Sequence, residues 1–316
     1  TFHLRDEGDT LLEALDEALE IGRASRGSVH LGHFKTFRKP NWHKLPEAIG
    51  KLEAAMRAGL SLTVDRYPHL AMNTQLKFSL PLWALEGGTA AMKARLKAPE
   101  SRKRIIDELS RVYSSEEREL MISLVSQPQN RPFEGRFLDE LGTDKNVSPL
   151  EVLCDVLADE GEAAFATFFG MSRDNLDRIL QLDYAMVASD ASVQAIHRQS
   201  GGGRPHPRCF DTFPSFLAEW VFTRRLIPLE TAVQKITSMP ADRAGLIDRG
   251  RLVEGACADL VCLSPDALGS AVSYEEPIRF PAGVDLVMVN GQVVIDHGRL
   301  TGARPGTFLR WKQPPA

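Results

Sequence analysis

Apolar positions recur at helical spacing over 10–23, where Leu11, Leu12, Leu15, Ala18, Leu19 and Ile21 fall on neighbouring turns. A second such pattern covers 44–58, with Leu45, Ile49, Leu52 and Ala55 on one face. The stretches 28–33 and 61–65 read as short strands, the second running into Arg66, Tyr67 and Pro68. The opening residues 1–5 read as the end of another strand. Strand, helix, strand, helix, strand at this spacing predicts βαβ units, and hence a parallel sheet or barrel.

After Thr74 the pattern changes. The sequence predicts a charge-dense helix over 89–113, a strand over 121–125, a turn-rich stretch over 127–135 and a helix over 149–158. A short strand at 165–170 follows, then a helix at 171–180 capped by Ser172, and an apolar strand ending on Asp190. Gly201, Gly202 and Gly203 mark a loop ahead of two helices, expected over 212–223 and 228–237. From Gly250 onward short strands and tight turns take over. Asn290-Gly291 between two Val-rich runs predicts a hairpin in a small antiparallel sheet.

Composition narrows the function classes. The 316 residues hold 38 Lys+Arg against 42 Asp+Glu, a formal net charge of -4 that argues against a nucleic-acid partner. Hydrophobic residues make up 43%, enough for a full core, and no apolar run approaches the roughly 18 residues of a membrane span. Cys154, Cys209, Cys257 and Cys262 form no C-x-x-C pair and no disulfide scaffold. The chain starts at Thr1, with neither an initiator Met nor a signal peptide. The expectation is a cytoplasmic enzyme with neither membrane nor nucleic-acid partners.

In a β/α barrel the reactive groups sit at the C-terminal ends of the strands. His3, His33 and Asp190 hold such positions. Two neutral imidazoles could serve zinc, with a carboxylate across the barrel mouth as base. His30 and His33 point to opposite faces of a regular strand, which favours His33, followed by Lys35 and a polar loop. Lys35 could meet a substrate carboxylate, Tyr67 could donate its phenol to a developing oxyanion, and Arg208 could clamp a carboxylate. Each also has a plainer role open to it: a polar or packed His, an N-capping Asp190, a ring packed beside Pro68, a surface Arg208. Gly-x-Ser-x-Gly and His-Glu-x-x-His are absent, and the glycine run lacks nucleotide-loop spacing.

Taken in order, Thr1 to Glu7, Gly32-His33-Phe34-Lys35, Asp65-Arg66-Tyr67-Pro68, Ser189-Asp190 and His206-Pro207-Arg208 resemble the D-aminoacylase (N-acyl-D-amino-acid deacylase) family of the metal-dependent amidohydrolases. The tail adds Lys235 to Leu246, Asp248 to Val261 and Val289-Asn290-Gly291 to the resemblance, which runs nearly end to end. It implies an α/β fold: part of a distorted (β/α)8 TIM barrel, strands five to eight, with a small C-terminal β-sheet domain. The implied divisions are barrel units five and six at 1–73, an insertion or lid-like segment at 74–146 that can include barrel elements, the rest of the barrel at 147–245, and the β domain at 246–316.

The resemblance further implies zinc, one or two ions in a complete enzyme, with His3 and His33 as ligands. Asp190 would take the proton of the attacking water and pass it to the leaving amine, with Tyr67 beside it. Lys35, Tyr67, Asn73 and Arg208 would bind an N-acyl amino acid substrate. Departures from the family pattern are Gly32 before His33, Ala188 and Ala191 around Ser189-Asp190, and His69 after Tyr67-Pro68. The His-x-His of strand one and a middle-strand Cys ligand have no counterpart, so the expectation is a chain beginning at strand five. Alternatives are a dihydroorotase- or hydantoinase-like cyclic amidase, or a non-catalytic truncated half-barrel that associates with its missing half or with itself.

Overall fold

The computed structural model describes residues 1–113, 119–193, 203–269 and 272–309; Gly201 and Gly202 of the expected loop lie outside them. Helix α1 (Leu11–Ser25) buries Leu11, Ala14, Leu15, Ala18, Leu19 and Gly22, one face at the predicted spacing. Gly22 sets how close the sheet can come, because a Cβ there would lie 2.2 Å from Val29 Cγ2 of strand β1 (Val29–Leu31). Helix α2 (Leu45–Arg57) starts with a proline in its first turn, where no N–H is missed, and leads into β2 (Leu62–Arg66).

The chain then builds a separate antiparallel unit. Its elements are β3 (Ala71–Gln75), α3 (Leu82–Leu85), α4 (Gly88–Lys97), α5 (Pro99–Leu109), β4 (Leu120–Leu124), α6 (Leu138–Lys145), α7 (Pro149–Glu160) and β5 (Phe165–Phe169). The single helix expected over 89–113 is two helices. Ala98 is extended (φ -81°, ψ 125°) ahead of Pro99, which lacks an N–H and disfavours a helical residue before it. Ser148 and Glu151 form a capping box at the start of α7, with Ser148 Oγ accepting from Glu151 N at 3.2 Å and Ser148 N donating to Glu151 Oε2 at 2.8 Å. The strand expected at 165–170 forms and lies between β3 and β4, not among the parallel strands. Leu96, Ile122, Leu157 and Phe168 belong to this unit's own core.

The chain returns through α8 (Arg173–Gln181), whose Ser172 cap accepts from Asn175 N, to β6 (Ala185–Val187). Strands β1, β2 and β6 pair in parallel in that order, and Phe2 adds a parallel bridge to Leu31 on the outer side of β1. The result is a barrel-like arc that does not close. Leu15 and Leu52 pack with Leu31 and Val64, so α1 and α2 cover one face of the arc. Helix α9 (Arg208–Phe216) runs into a π-helical segment at Leu217–Thr223, and α10 (Leu229–Ile236) and α11 (Ser238–Arg243) follow. Trp220 joins Val187, Phe216 and Ala232 in a third core cluster beside β6.

Strands β7 (Leu260–Leu263), β8 (Val284–Val289), β9 (Gln292–Asp296) and β10 (Arg299–Leu300) form the antiparallel C-terminal sheet in the order β10-β9-β8-β7. Its hairpin turns at Asn290 (φ 47°) and Gly291 (φ 77°), both left-handed as a two-residue primed turn requires. The fold is therefore α/β, with an open, barrel-like parallel sheet and a separate antiparallel sheet at the C-terminal end. Among the described residues no helix is long and apolar enough to cross a membrane.

Candidate active site

The parallel strands deliver their C-terminal ends to one cavity of about 550 Å³. All seven residues singled out in the sequence line it: His3, His33, Lys35, Tyr67, Asn73, Asp190 and Arg208. His33, two residues past β1, and Asp190, three past β6, both adopt left-handed backbone (φ 44° and 48°), at a cost of about 1–2 kcal/mol each. Such backbone strain collects at functional sites.

His33 is held from two sides. Its backbone N–H donates to Asp65 Oδ1 (2.6 Å), and its Nδ1 lies 2.7 Å from Glu7 Oε1. On the far side of the ring, Nε2 faces His3 Nδ1 at 2.6 Å, with the imidazoles edge to face. Partial burial, and then the neighbouring His33 ring, lower the pKa of His3, which keeps it neutral, the form a metal binds. Two facing imidazoles suit two of the four positions of zinc. Among the described residues no group of three or more His, Cys, Asp or Glu is placed to hold a metal, so the set is a partial one.

The cations at the cavity are engaged. Lys35, 4% exposed, pairs its Nζ with Glu7 Oε2 and also donates to the His33 carbonyl (3.1 Å). Burial works to raise the pKa of Glu7, but the Lys35 ammonium and the His33 hydrogen bond outweigh it and hold the carboxyl at about 2. Arg208 Nη1 pairs with Asp190 Oδ2 at 2.8 Å. The helix expected from Thr212 begins four residues earlier, at Arg208, whose N–H donates to His206 Nδ1 (3.0 Å). Asn73 points its amide nitrogen into the antiparallel unit, toward Ser123 Oγ (2.7 Å), Ala166 O and Thr167 Oγ1. Tyr67 is fully buried against the guanidiniums of Arg66 and Arg208, 3.9 and 4.6 Å from its ring, and its hydroxyl has no hydrogen-bond partner among the described residues. A buried unpaired hydroxyl costs about 1–3 kcal/mol and is a donor awaiting an acceptor.

Glu7, Asp65 and His206 escaped assignment in the sequence, although each sits inside a quoted motif. Asp65 also takes a hydrogen bond from His30 Nε2 (2.8 Å), so the histidine embedded in the strand supports the turn that carries His33. His206 is 2% exposed and uses Nε2 to reach Ala71 O (2.9 Å); burial holds its pKa well below the usual value. Alternation of residues along a strand carries no trace of these contacts, which join segments up to 135 residues apart.

The sequence profile of the Amidohydrolase family matches residues 196–295. A D-aminoacylase of Alcaligenes xylosoxydans xylosoxydans is 31% identical over 310 residues, covering 97% of this chain and 54% of the relative. The crystal structure of a D-aminoacylase superposes with a TM-score of 0.74 at 29% identity, over 95% of this chain and 53% of that one. The chain is a D-aminoacylase-like member of the amidohydrolase superfamily. Another member of the superfamily, the N-acyl-D-glutamate deacylase of Bordetella bronchiseptica, was solved with zinc and a phosphonate mimic of the tetrahedral intermediate. It matches with a TM-score of 0.71 at 26% identity, over 92% of this chain and 52% of that one. The chain spans about half the length of the family members it matches.

Proposed function

We propose that this chain carries the later half of a zinc-dependent site that hydrolyses the amide bond of N-acyl-D-amino acids, giving a carboxylate and a free D-amino acid. The observation behind this reading is the convergence of seven chemically matched side chains on one cavity. His3 and His33 would hold the ion. What zinc supplies there is Lewis acidity, enough to make water reactive near neutral pH. Asp190 takes a proton from the attacking water as its oxygen bonds to the acyl carbon, then returns that proton to the leaving nitrogen as the C–N bond breaks. The unpaired Tyr67 hydroxyl donates to the former carbonyl oxygen as charge grows on it.

Arg208 and Lys35 hold the substrate carboxylate, with Asn73 beside it. A carboxylate that takes Arg208 from Asp190 leaves that base free, which ties substrate binding to base release. Lys35 has three N–H donors; Glu7 and the His33 carbonyl use two and leave one for substrate. Four cysteines without disulfide pairing fit the cytoplasm as the compartment. The test is release of free amino acid from N-acetyl-D- and N-acetyl-L-amino acids by the zinc-loaded protein. Asp190→Asn is expected to remove most turnover with metal content retained; full activity in that variant rejects the assignment.

The two-ligand set favours a second reading of the chain taken alone, as a half-site that needs a complementary segment. Near-absent zinc after purification, together with no amidase activity until that segment is added, would select it.

A further inference from the structure

We propose that Glu7 is the positioning residue of His33: its carboxylate accepts the ring Nδ1–H and so turns the Nε2 lone pair toward His3. A carboxylate has no hydrogen to give, so the 2.7 Å contact between Glu7 Oε1 and His33 Nδ1 assigns the ring hydrogen to Nδ1. Lys35 Nζ lies 3.0 Å from the same nitrogen but cannot donate to a nitrogen that already carries hydrogen; its donors go to Glu7 Oε2 and the His33 carbonyl. Nε2 is then the acceptor, and it is the nitrogen aimed at His3, 2.6 Å away.

The geometry of the ring follows from two carboxylates on different elements. Asp65, in β2, fixes the left-handed peptide of His33, and Glu7, ahead of α1, fixes the tilt and tautomer of the imidazole. The Lys35 ammonium, paired with Glu7 Oε2, holds the other oxygen of the same carboxylate. A histidine that binds a metal commonly donates its other ring N–H to a carboxylate, and loss of that partner costs about 10–100-fold in metal affinity. The competing role is structural, with Glu7 present only to neutralise Lys35, which is 4% exposed.

The two roles separate when both charges are removed. The full chain is compared with Glu7→Met and with Glu7→Met/Lys35→Met, by ring-nitrogen NMR of His33 without metal and by cobalt(II) titration followed by absorbance. The unaltered chain is expected to hold His33 as the Nδ1–H tautomer. In Glu7→Met the Lys35 ammonium is free to donate to Nδ1, so the tautomer reverses and cobalt affinity falls by about 10–100-fold. In the double variant the tautomer preference is lost and affinity stays reduced, although the buried charge is gone and the fold is relieved. A double variant with the native tautomer and native affinity overturns the proposal in favour of charge neutralisation. An Nε2–H tautomer in the unaltered chain overturns it directly. The metal arm rests on the zinc reading above; if the unaltered chain takes up no cobalt, that reading fails, while the tautomer measurement still decides the role of Glu7.

Discussion

The parallel arc and the C-terminal sheet are both made of short Val- and Leu-rich strands, yet they spend their special backbone conformations differently. In β2, Leu62 and Val64 are buried, and helices cover the outer face of the arc. Val261 of β7 is 57% exposed, and no residue of β7 to β10 is fully buried. The arc places left-handed residues at His33 and Asp190, where hydrogen bonds to Asp65 and an ion pair with Arg208 restrain them. The C-terminal sheet places its left-handed pairs in hairpin turns, at Asn290-Gly291 and His297-Gly298, where glycine fills one of the two positions. Rigid packing lets the arc store strain at a site; the hairpin has only to turn.

The largest effect that would sharpen this contrast is chemical. Tyr67→Phe keeps the buried ring against its two guanidiniums and removes the unpaired donor. A fall in kcat of roughly 10²–10³-fold is expected, with KM changed far less. An unchanged kcat would remove Tyr67 from the oxyanion role. Next comes packing: Leu52→Ala, at a side chain with no exposure in α2, is expected to cost about 2–5 kcal/mol in urea unfolding. A cost below 1 kcal/mol there would show that the arc is not the tightly packed region.

Acid separates the two regions as well. Burial first, then Arg66, Arg208 and Arg173, hold the pKa of His69 at about 3, against an ordinary value of 6.5. Between those values the unfolded chain binds a proton that native His69 refuses, so stability is expected to decline as pH falls from 6.5 toward 3. His206, also held neutral by burial, contributes in the same direction. Unfolding midpoints across that range check it, and His69→Asn should flatten the slope. A smaller effect, about 1 kcal/mol, is expected for Asn290→Ala in the hairpin turn, since alanine bears the left-handed cost that asparagine tolerates. Smallest of all, Val261→Ala should fall within about 0.5 kcal/mol in the same urea series.

Much of the arc was legible from periodicity. Leu11, Leu15, Leu45 and Leu52 recur at helical spacing because a helix with one apolar stripe must bury it, and they do pack on the sheet. The Asn290-Gly291 hairpin was legible because few residue pairs accept its dihedrals. The split at Ala98 could have been read from Pro99, since proline acts on its own helix and on the residue before it. The partner of 165–170 could not. An apolar run such as Phe165–Phe169 states that it will be buried, not against which strand, and only the packed chain sets it between β3 and β4.

The same division holds at the site. Residue types at or just past strand ends named His3, His33, Lys35, Tyr67 and Asp190, because the C-terminal ends of parallel strands converge; Arg208 was named from the loop after the glycine run, and Asn73 from the family resemblance alone. That Lys35 is tied to Glu7, that Arg208 is tied to Asp190, and that Asn73 turns its amide into the antiparallel unit came from the tertiary structure alone. The amino-acid sequence by itself determined the main helices and strands of the arc and the C-terminal hairpin, and the chemical groups at several strand ends, since short-range patterns and local motifs carry both. Only the tertiary structure decided which charges are already paired and which nitrogen of His33 carries its hydrogen, because those depend on the approach of side chains far apart along the chain.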